Sequence, residues 1–267
     1  MTSLQASFLN VLVAIVAGAV CNARVVAQEV VQDEEQPTIT IRVKAERYVD
    51  TTHRFSVLTD QEVFGKELTT QTLLIDEETK GLAEVFVWTA RAEDERIDPA
   101  RQQREPVIHE INVKDGQLTP RAMIAQDGDK LYYSGKDVPV ALALDTSAVK
   151  PVFGQGIRPR EEREFKLVGR DRKESIYSPI YPWMFARIFV MRDTHCQLTD
   201  ESGTCKLPRP RDKTKSIDIQ LEHHLLGELK ITKASNGVEV LGDGRIRVSP
   251  DVEELEVVVQ IEDPRDR

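Results

Sequence analysis

Short runs of alternating apolar and polar residues dominate this chain. Thr38-Ile39-Thr40-Ile41-Arg42-Val43 alternates with period two, the pattern of a strand buried on one face. Leu73-Leu74-Ile75 and Ala83-Glu84-Val85-Phe86-Val87-Trp88 follow, the second rich in residues that favour pleated backbone. Further short strands fit at 107–113, 121–125, 129–133, 138–144, 163–168 and 185–191. Asp115-Gly116, Asp127-Gly128 and Ser202-Gly203 punctuate them as turns. Residues 91–106 are charged and carry prolines, which predicts an exposed loop. No amphipathic pattern supports a helix of more than a few turns. The pattern predicts an all-β chain, an antiparallel β-sandwich.

Past Pro210 the composition shifts. RPRDKTKS reads as a linker, and residues 216–262 give further strands with hairpin turns at Asn236-Gly237 and Asp243-Gly244. This small C-terminal β unit, 209–267, is either a separate subdomain or an extension of the first sheet. Residues 28–38 (QEVVQDEEQPT) are polar and acidic, a flexible lead-in to the sandwich at 39–208.

The N-terminus is different in kind. Phe8 to Cys21 reads FLNVLVAIVAGAVC, with no charge. That run is shorter than the roughly 20 residues a spanning helix needs. It suits the apolar region of a secretory signal peptide, residues 1–27, with Val25-Val26-Ala27 before the cut. The competing readings are a lipoprotein signal ending at Cys21 and an uncleaved anchor. No later segment is apolar enough to span a bilayer, so the mature chain is expected to be secreted, periplasmic or extracellular, without a transmembrane segment.

Charge and cysteine usage narrow the function. The 267 residues carry a net charge of −9, which argues against nucleic acid as a partner. Three cysteines are too few for a disulfide-dense scaffold or a four-cysteine zinc site. After cleavage Cys196 and Cys205 remain, flanking the turn LTDESGT. Two strands joined there would face the thiols across a hairpin. An oxidising compartment then permits a disulfide; the alternative is two reduced, half-buried thiols.

Catalytic signatures are lacking. The carboxylate pairs Glu77-Glu78, Asp94-Glu95, Glu161-Glu162 and Glu253-Glu254 lie in charged stretches and read as solvated surface rather than a glycosidase pair. Gly154-Gln155-Gly156 lacks the remainder of a phosphate loop. Ser178 has no nucleophile-elbow context. The chain is therefore read as no enzyme. Tyr181 and Trp183 suit either an aromatic platform for a carbohydrate or protein ligand, or a buried plug with the indole N–H bonded.

Residues 177–191 read YSPIYPWMFARIFVM, followed by Leu198-Thr199-Asp200-Glu201-Ser202-Gly203. This resembles secreted bacterial cupredoxin-like proteins related to methylamine utilisation. In that family a Cys, two residues and then His-Pro-Trp-Met precede a strand, and a Thr-Asp-Glu-Asp-Gly turn follows. Here Pro182-Trp183-Met184 and Thr199-Asp200-Glu201 stand at the matching places. Gly81 to Val87, Leu118-Thr119-Pro120 and Gly128-Asp129-Lys130-Leu131 resemble its upstream landmarks, so the resemblance spans roughly 60–208.

The resemblance implies a cupredoxin-like sandwich and a copper site of two imidazoles, a thiolate and a thioether. The sequence departs from it at the ligands. Ser178 stands for the cysteine, Tyr181 for the following histidine and Arg121 for a histidine after the proline. Val138 to Ala143 hold none, and Met184 alone persists. The site reads as degenerate, with no cofactor expected and a structural or binding role. The alternative is a metal-binding or electron-transfer protein with another ligand set, for which His195, Cys196, His223 and His224 are candidates and copper the cofactor. His223 and His224 are adjacent, so within a strand they would point to opposite faces.

Overall fold

Period-two burial marks the first described strand, Thr38–Ala45. The computed structural model describes residues 37–58, 61–91, 105–114, 116–134, 141–146, 155–158, 160–168, 171–181, 183–209 and 214–262. The expected signal peptide, most of the acidic lead-in and most of the 91–106 loop lie outside these residues.

Strands β1 (Thr38–Ala45), β2 (Thr52–Ser56), β3 (Glu67–Gln71) and β4 (Val85–Ala90) come first, with a single helical turn, α1 (Gln61–Phe64), between β2 and β3. A middle group follows: β5 (Ile108–Lys114), β6 (Gln117–Thr119), β7 (Ala122–Gln126), β8 (Lys130–Ser134) and β9 (Leu142–Thr146). It continues through β10 (Gln155–Ile157), β11 (Glu162–Lys166), β12 (Arg172–Tyr177) and β13 (Phe185–Met191). The last group is β14 (Thr194–Leu198), β15 (Thr204–Pro208), β16 (Ile217–His223), β17 (Gly227–Glu228), β18 (Lys230–Ala234), β19 (Val238–Gly242), β20 (Arg245–Val248) and β21 (Glu254–Gln260).

Apart from β2 and β3, which pair with each other as a separate two-stranded sheet, these strands build two sandwiches. In the first, the sheet β15-β1-β21-β18 faces the sheet β14-β4-β16-β20-β19. Ile39, Ile41, Val43 and Val257 from one sheet meet Val85, Val87, Ile219 and Leu221 from the other in one core. In the second, β10-β9-β12-β13-β7 faces β11-β8-β5-β6 around Ile111, Leu131, Tyr133, Ile176 and Ile188. The fold is all-β, as the alternation predicts, and most pairings are antiparallel.

The C-terminal β segment is present and is built into the first sandwich. β21 pairs parallel with β1, and β16 pairs antiparallel with β4. The 39–208 segment correspondingly contributes to both sandwiches, because β5 to β13 are inserted between β4 and β14.

A seam joins the sandwiches. On β4, Val85 and Val87 enter the first core, while Phe86 turns the other way to meet Phe189 of β13 and Cys196 of β14. Ala186, Ile188 and Val190 of β13 fill the second core. Strands buried on both faces read as nearly continuous apolar runs, which is how VFVW and ARIFV appear in the sequence.

Candidate functional site

Ser178, Tyr181 and Met184, the residues expected at the degenerate site, are closely packed. Ser178 is buried, and its Oγ accepts the N–H groups of Ile180 at 3.2 Å and Tyr181 at 3.1 Å. Its own N–H donates to the Met184 carbonyl at 2.9 Å, closing the turn that leads into β13. Tyr181 lies edge-on to Phe64 with ring centroids 5.4 Å apart, and Met184 is wholly buried in the second core. The Trp183 indole N–H donates to the Gly116 carbonyl at 3.1 Å, and the ring is half-buried. Pro182 lies outside the described residues. A committed hydroxyl, a phenol and one thioether do not make a copper donor set, which needs imidazole and thiolate. The residues at this position therefore do not fit the metal.

The second candidate set is not brought together either. Cys196 lies opposite Trp88, Trp88 lies opposite Gln220, and His223 is opposite Val85. Cys196 is thus two strand spacings across and three residues along from His223, about 10 Å in each direction. His195, opposite Thr89, lies one residue away from Cys196 on β14.

The two thiols are free. They are not hairpin partners, because the chain changes sheets between them: β14 pairs with β4, and β15 pairs with β1. Cys205 belongs to the first core and Cys196 to the seam. Burial pushes the Cys205 thiol up to about 12 and the Cys196 thiol well above its usual range.

What the structure does converge is His223, His224 and Glu84. β16 ends at His223 and the turn begins at His224, so the two rings are not on opposite faces. Their centroids are 4.4 Å apart and both side chains are fully buried. This corrects the expectation drawn from a continuous strand. Glu84 enters just before β4 from a left-handed backbone, φ 59°. Thr199 holds it there: the Glu84 N–H donates to the Thr199 carbonyl at 3.1 Å, and Thr199 Oγ1 takes the Val85 N–H at 3.0 Å while donating to the Leu82 carbonyl at 2.7 Å. A non-glycine residue in this conformation carries strain that its surroundings must hold.

The electrostatics of this cluster are specific. Glu84 Oε2 lies 3.5 Å from His224 Nδ1 and 2.7 Å from the Arg121 guanidinium. Arg121 also donates to the carbonyls of Gln71 and Thr72. The Leu225 N–H donates to His223 Nδ1 at 3.2 Å. His223 Nε2 and both ring nitrogens of His224 have no hydrogen-bond partner among the described residues. Burial, reinforced by Arg121 and Arg187, drives His223 down to about 3; burial and the neighbouring His223 drive His224 well below its usual range. Both imidazoles are therefore neutral at physiological pH. Burial raises the Glu84 carboxyl, and the Arg121 charge opposes that. On the far face of β16, Glu222 meets Lys173 and the Arg187 guanidinium, the latter at 3.2 Å.

Beside the cluster is a cavity of about 220 Å³. Phe55, Trp183, Phe185 and Leu225 give it apolar walls, and Thr70, Gln71, Thr72, Gln117, Arg121 and His224 a polar edge. Phe55 of β2 stacks on Trp183 with centroids 5.1 Å apart and planes 25° apart. A larger hollow of about 640 Å³ by Pro37, Arg209 and Glu253 is somewhat more open, and its Arg209 is committed to the carbonyls of Ser249 and Val252. The smaller cavity is the chemically distinctive one.

No family model matches the chain, and no curated protein matches it. Partial likenesses to solved structures exist. A Cu-containing nitrite reductase from Thermus scotoductus is 17% identical over 35% of this chain and 26% of its own, with a TM-score of 0.27. Amicyanin from Paracoccus versutus is 13% identical over 39% of this chain and 96% of its own, TM-score 0.26. Pseudoazurin from Methylobacterium extorquens is 13% identical over 32% of this chain and 75% of its own, TM-score 0.26. The chain thus spans about a quarter of the nitrite reductase, and the all-β class stands on the strand pairings themselves. Among the described residues no helix is long and apolar enough to cross a membrane.

Proposed function

We propose that this chain is an exported, non-enzymatic β-sandwich binding module that has given up the copper chemistry of the proteins it resembles. One observation carries the reading. The turn from Ser178 to Met184 is closed by its own hydrogen bonds, while the neighbouring Trp183 and Phe55 form a stacked aromatic wall on an unfilled cavity. Aromatic faces with amide and hydroxyl groups at their edge suit a ligand with one apolar ring face and polar substituents. At about 220 Å³ the space admits one ring rather than a chain of them. A single carbohydrate ring meets both conditions.

Tryptophan fluorescence tests this, since Trp183 lines the cavity and Trp88 is removed as background by Trp88→Phe. We expect a panel of monosaccharides to include at least one that shifts the Trp183 emission saturably, with the shift lost in Phe55→Ala. No shift from any sugar up to about 10 mM, which corresponds to binding weaker than about 3 kcal/mol, would refute it.

A further inference from the structure

Three of the four ring nitrogens of His223 and His224 are fully buried without a hydrogen-bond partner among the described residues. Native folds leave few such atoms unsatisfied, because a buried donor or acceptor without a partner loses its hydration with nothing in return. Of the five such side-chain atoms among the described residues, three belong to this pair. One donor atom from each of Glu84, His223 and His224 lies within 4.8 Å of the others.

We propose that Glu84, His223 and His224 form a mononuclear site for a borderline divalent transition cation of the zinc(II) or copper(II) class. This goes beyond the ring-binding reading and does not depend on it. Two neutral imidazoles and one carboxylate are the donors such ions prefer, whereas calcium and magnesium require mostly oxygen. Small side-chain rotations bring donors this close to the roughly 2.0–2.2 Å bonds of zinc. The Glu84 carboxylate is shared with Arg121, so an ion would take one of its oxygens alongside the guanidinium. Arg121 fixes the carboxylate through 2.7 Å and 3.4 Å contacts, and Arg187, the other nearby cation, is held by Glu222. His224 also lines the cavity, so a bound ion would have an open side towards it.

The tautomer of His223 gives the proposal an internal check. Its Nδ1 now accepts the Leu225 N–H at 3.2 Å. Ligation through Nδ1 takes that lone pair. Ligation through Nε2 requires the proton on Nδ1, which also ends the bond. Either way the Leu225 amide loses its acceptor when metal binds.

The test uses the untagged protein, stripped with chelator and titrated with zinc chloride or copper chloride alone. Calorimetry follows affinity, and amide NMR follows Leu225. We expect one ion per chain with Kd below about 1 µM, and a saturable shift of the Leu225 amide. Glu84→Gln and His224→Asn are expected to weaken binding at least tenfold, while His53→Gln and His195→Gln leave it unchanged. A Kd weaker than about 1 µM, an unmoved Leu225 amide in the wild type, or undiminished binding in a folded Glu84→Gln protein would each overturn the site. An unmoved amide would assign the cluster to a buried water instead. Phe55→Ala should leave metal binding intact and Glu84→Gln should leave sugar binding intact, so the two proposals can fail separately.

Discussion

At the scale of single residues, burial decides what each reactive group does. Cys196 and Cys205 are the clearest case. A thiol whose folded value is raised holds its proton where the unfolded chain releases it, so its contribution to stability is complete below about pH 9 and is lost as pH rises towards 12. Cys205, driven up to about 12, and Tyr133, also at about 12, both act in this direction. We expect stability to fall by about 1.4 kcal/mol per pH unit from Cys205 above pH 9, measured by denaturant melts. At pH 8 a thiol reagent should label neither Cys196 nor Cys205 in the native protein, and both in guanidinium without reductant. Labelling that requires reductant would restore the disulfide.

The histidine pair shows why residue-level chemistry was only partly legible. HH in a strand separates two rings by the width of a sheet, and nothing local announces that β16 stops between them. The stop comes from the hairpin to β17, where His223 pairs with Gly227 in the left-handed region, φ 76°. Glu84 was hidden for a related reason. It reads as the polar member of an alternating strand, and only its contacts with Thr199 reveal the turn that swings it towards the histidines.

At the scale of elements, turns and close approaches set the register. Gly81 and Gly203 lie back to back where β15 begins. A Cβ on Gly203 would sit 2.4 Å from the Val43 carbonyl oxygen and 2.6 Å from the Leu82 nitrogen, at a φ of 76°. Both space and backbone angle therefore require glycine. Gly203→Ala is expected to destabilise the fold by at least about 2 kcal/mol, read as a lowered Tm, and a change within error would show that this crossing can relax. Asp200 supports the same turn, its carboxylate accepting the N–H groups of Ser202 and Thr204 at 2.9 Å each. These are the residues of the Thr199-Asp200-Glu201 landmark, whose role is to carry the chain from one sheet to the other.

Strand legibility followed burial. The apolar run at 185–191 matches β13, and 107–113, 121–125 and 129–133 lie within a residue of β5, β7 and β8. β2, β3 and β12 escaped because THRFS, ELTTQ and RKESIY place charged or hydroxyl residues where a half-buried strand would show apolar ones. Leu73-Leu74-Ile75 failed in the opposite sense. Leu73 and Ile75 are buried, yet the segment's ladder pairing is a single bridge from Ile75 to Leu82, so hydrophobicity there marks core rather than strand.

At the scale of the whole molecule, the chain leaves the first sandwich after β4, builds the second, and returns at β14. No local pattern encodes that excursion, because β4 and β14 are adjacent through ladder pairing over more than a hundred residues. The excursion matters for function because it brings Arg121 and Trp183 of the second sandwich against Glu84 and His224 of the first. The Glu84–His223–His224 cluster and the cavity both belong to that seam, whereas Tyr181 and Met184 pack into the core of the second sandwich.

Addition of copper(II) to the purified protein, followed by visible absorption, separates these positions. A copper thiolate gives intense charge-transfer absorption, whereas imidazole and carboxylate ligands give only weak ligand-field bands. With Ser178 in place of the thiol and Cys196 about two strands from the histidines, we expect weak bands only, diminished by Glu84→Gln. An intense thiolate band would mean that the copper chemistry had been rebuilt elsewhere in the fold, and would contradict the reading of a closed copper site.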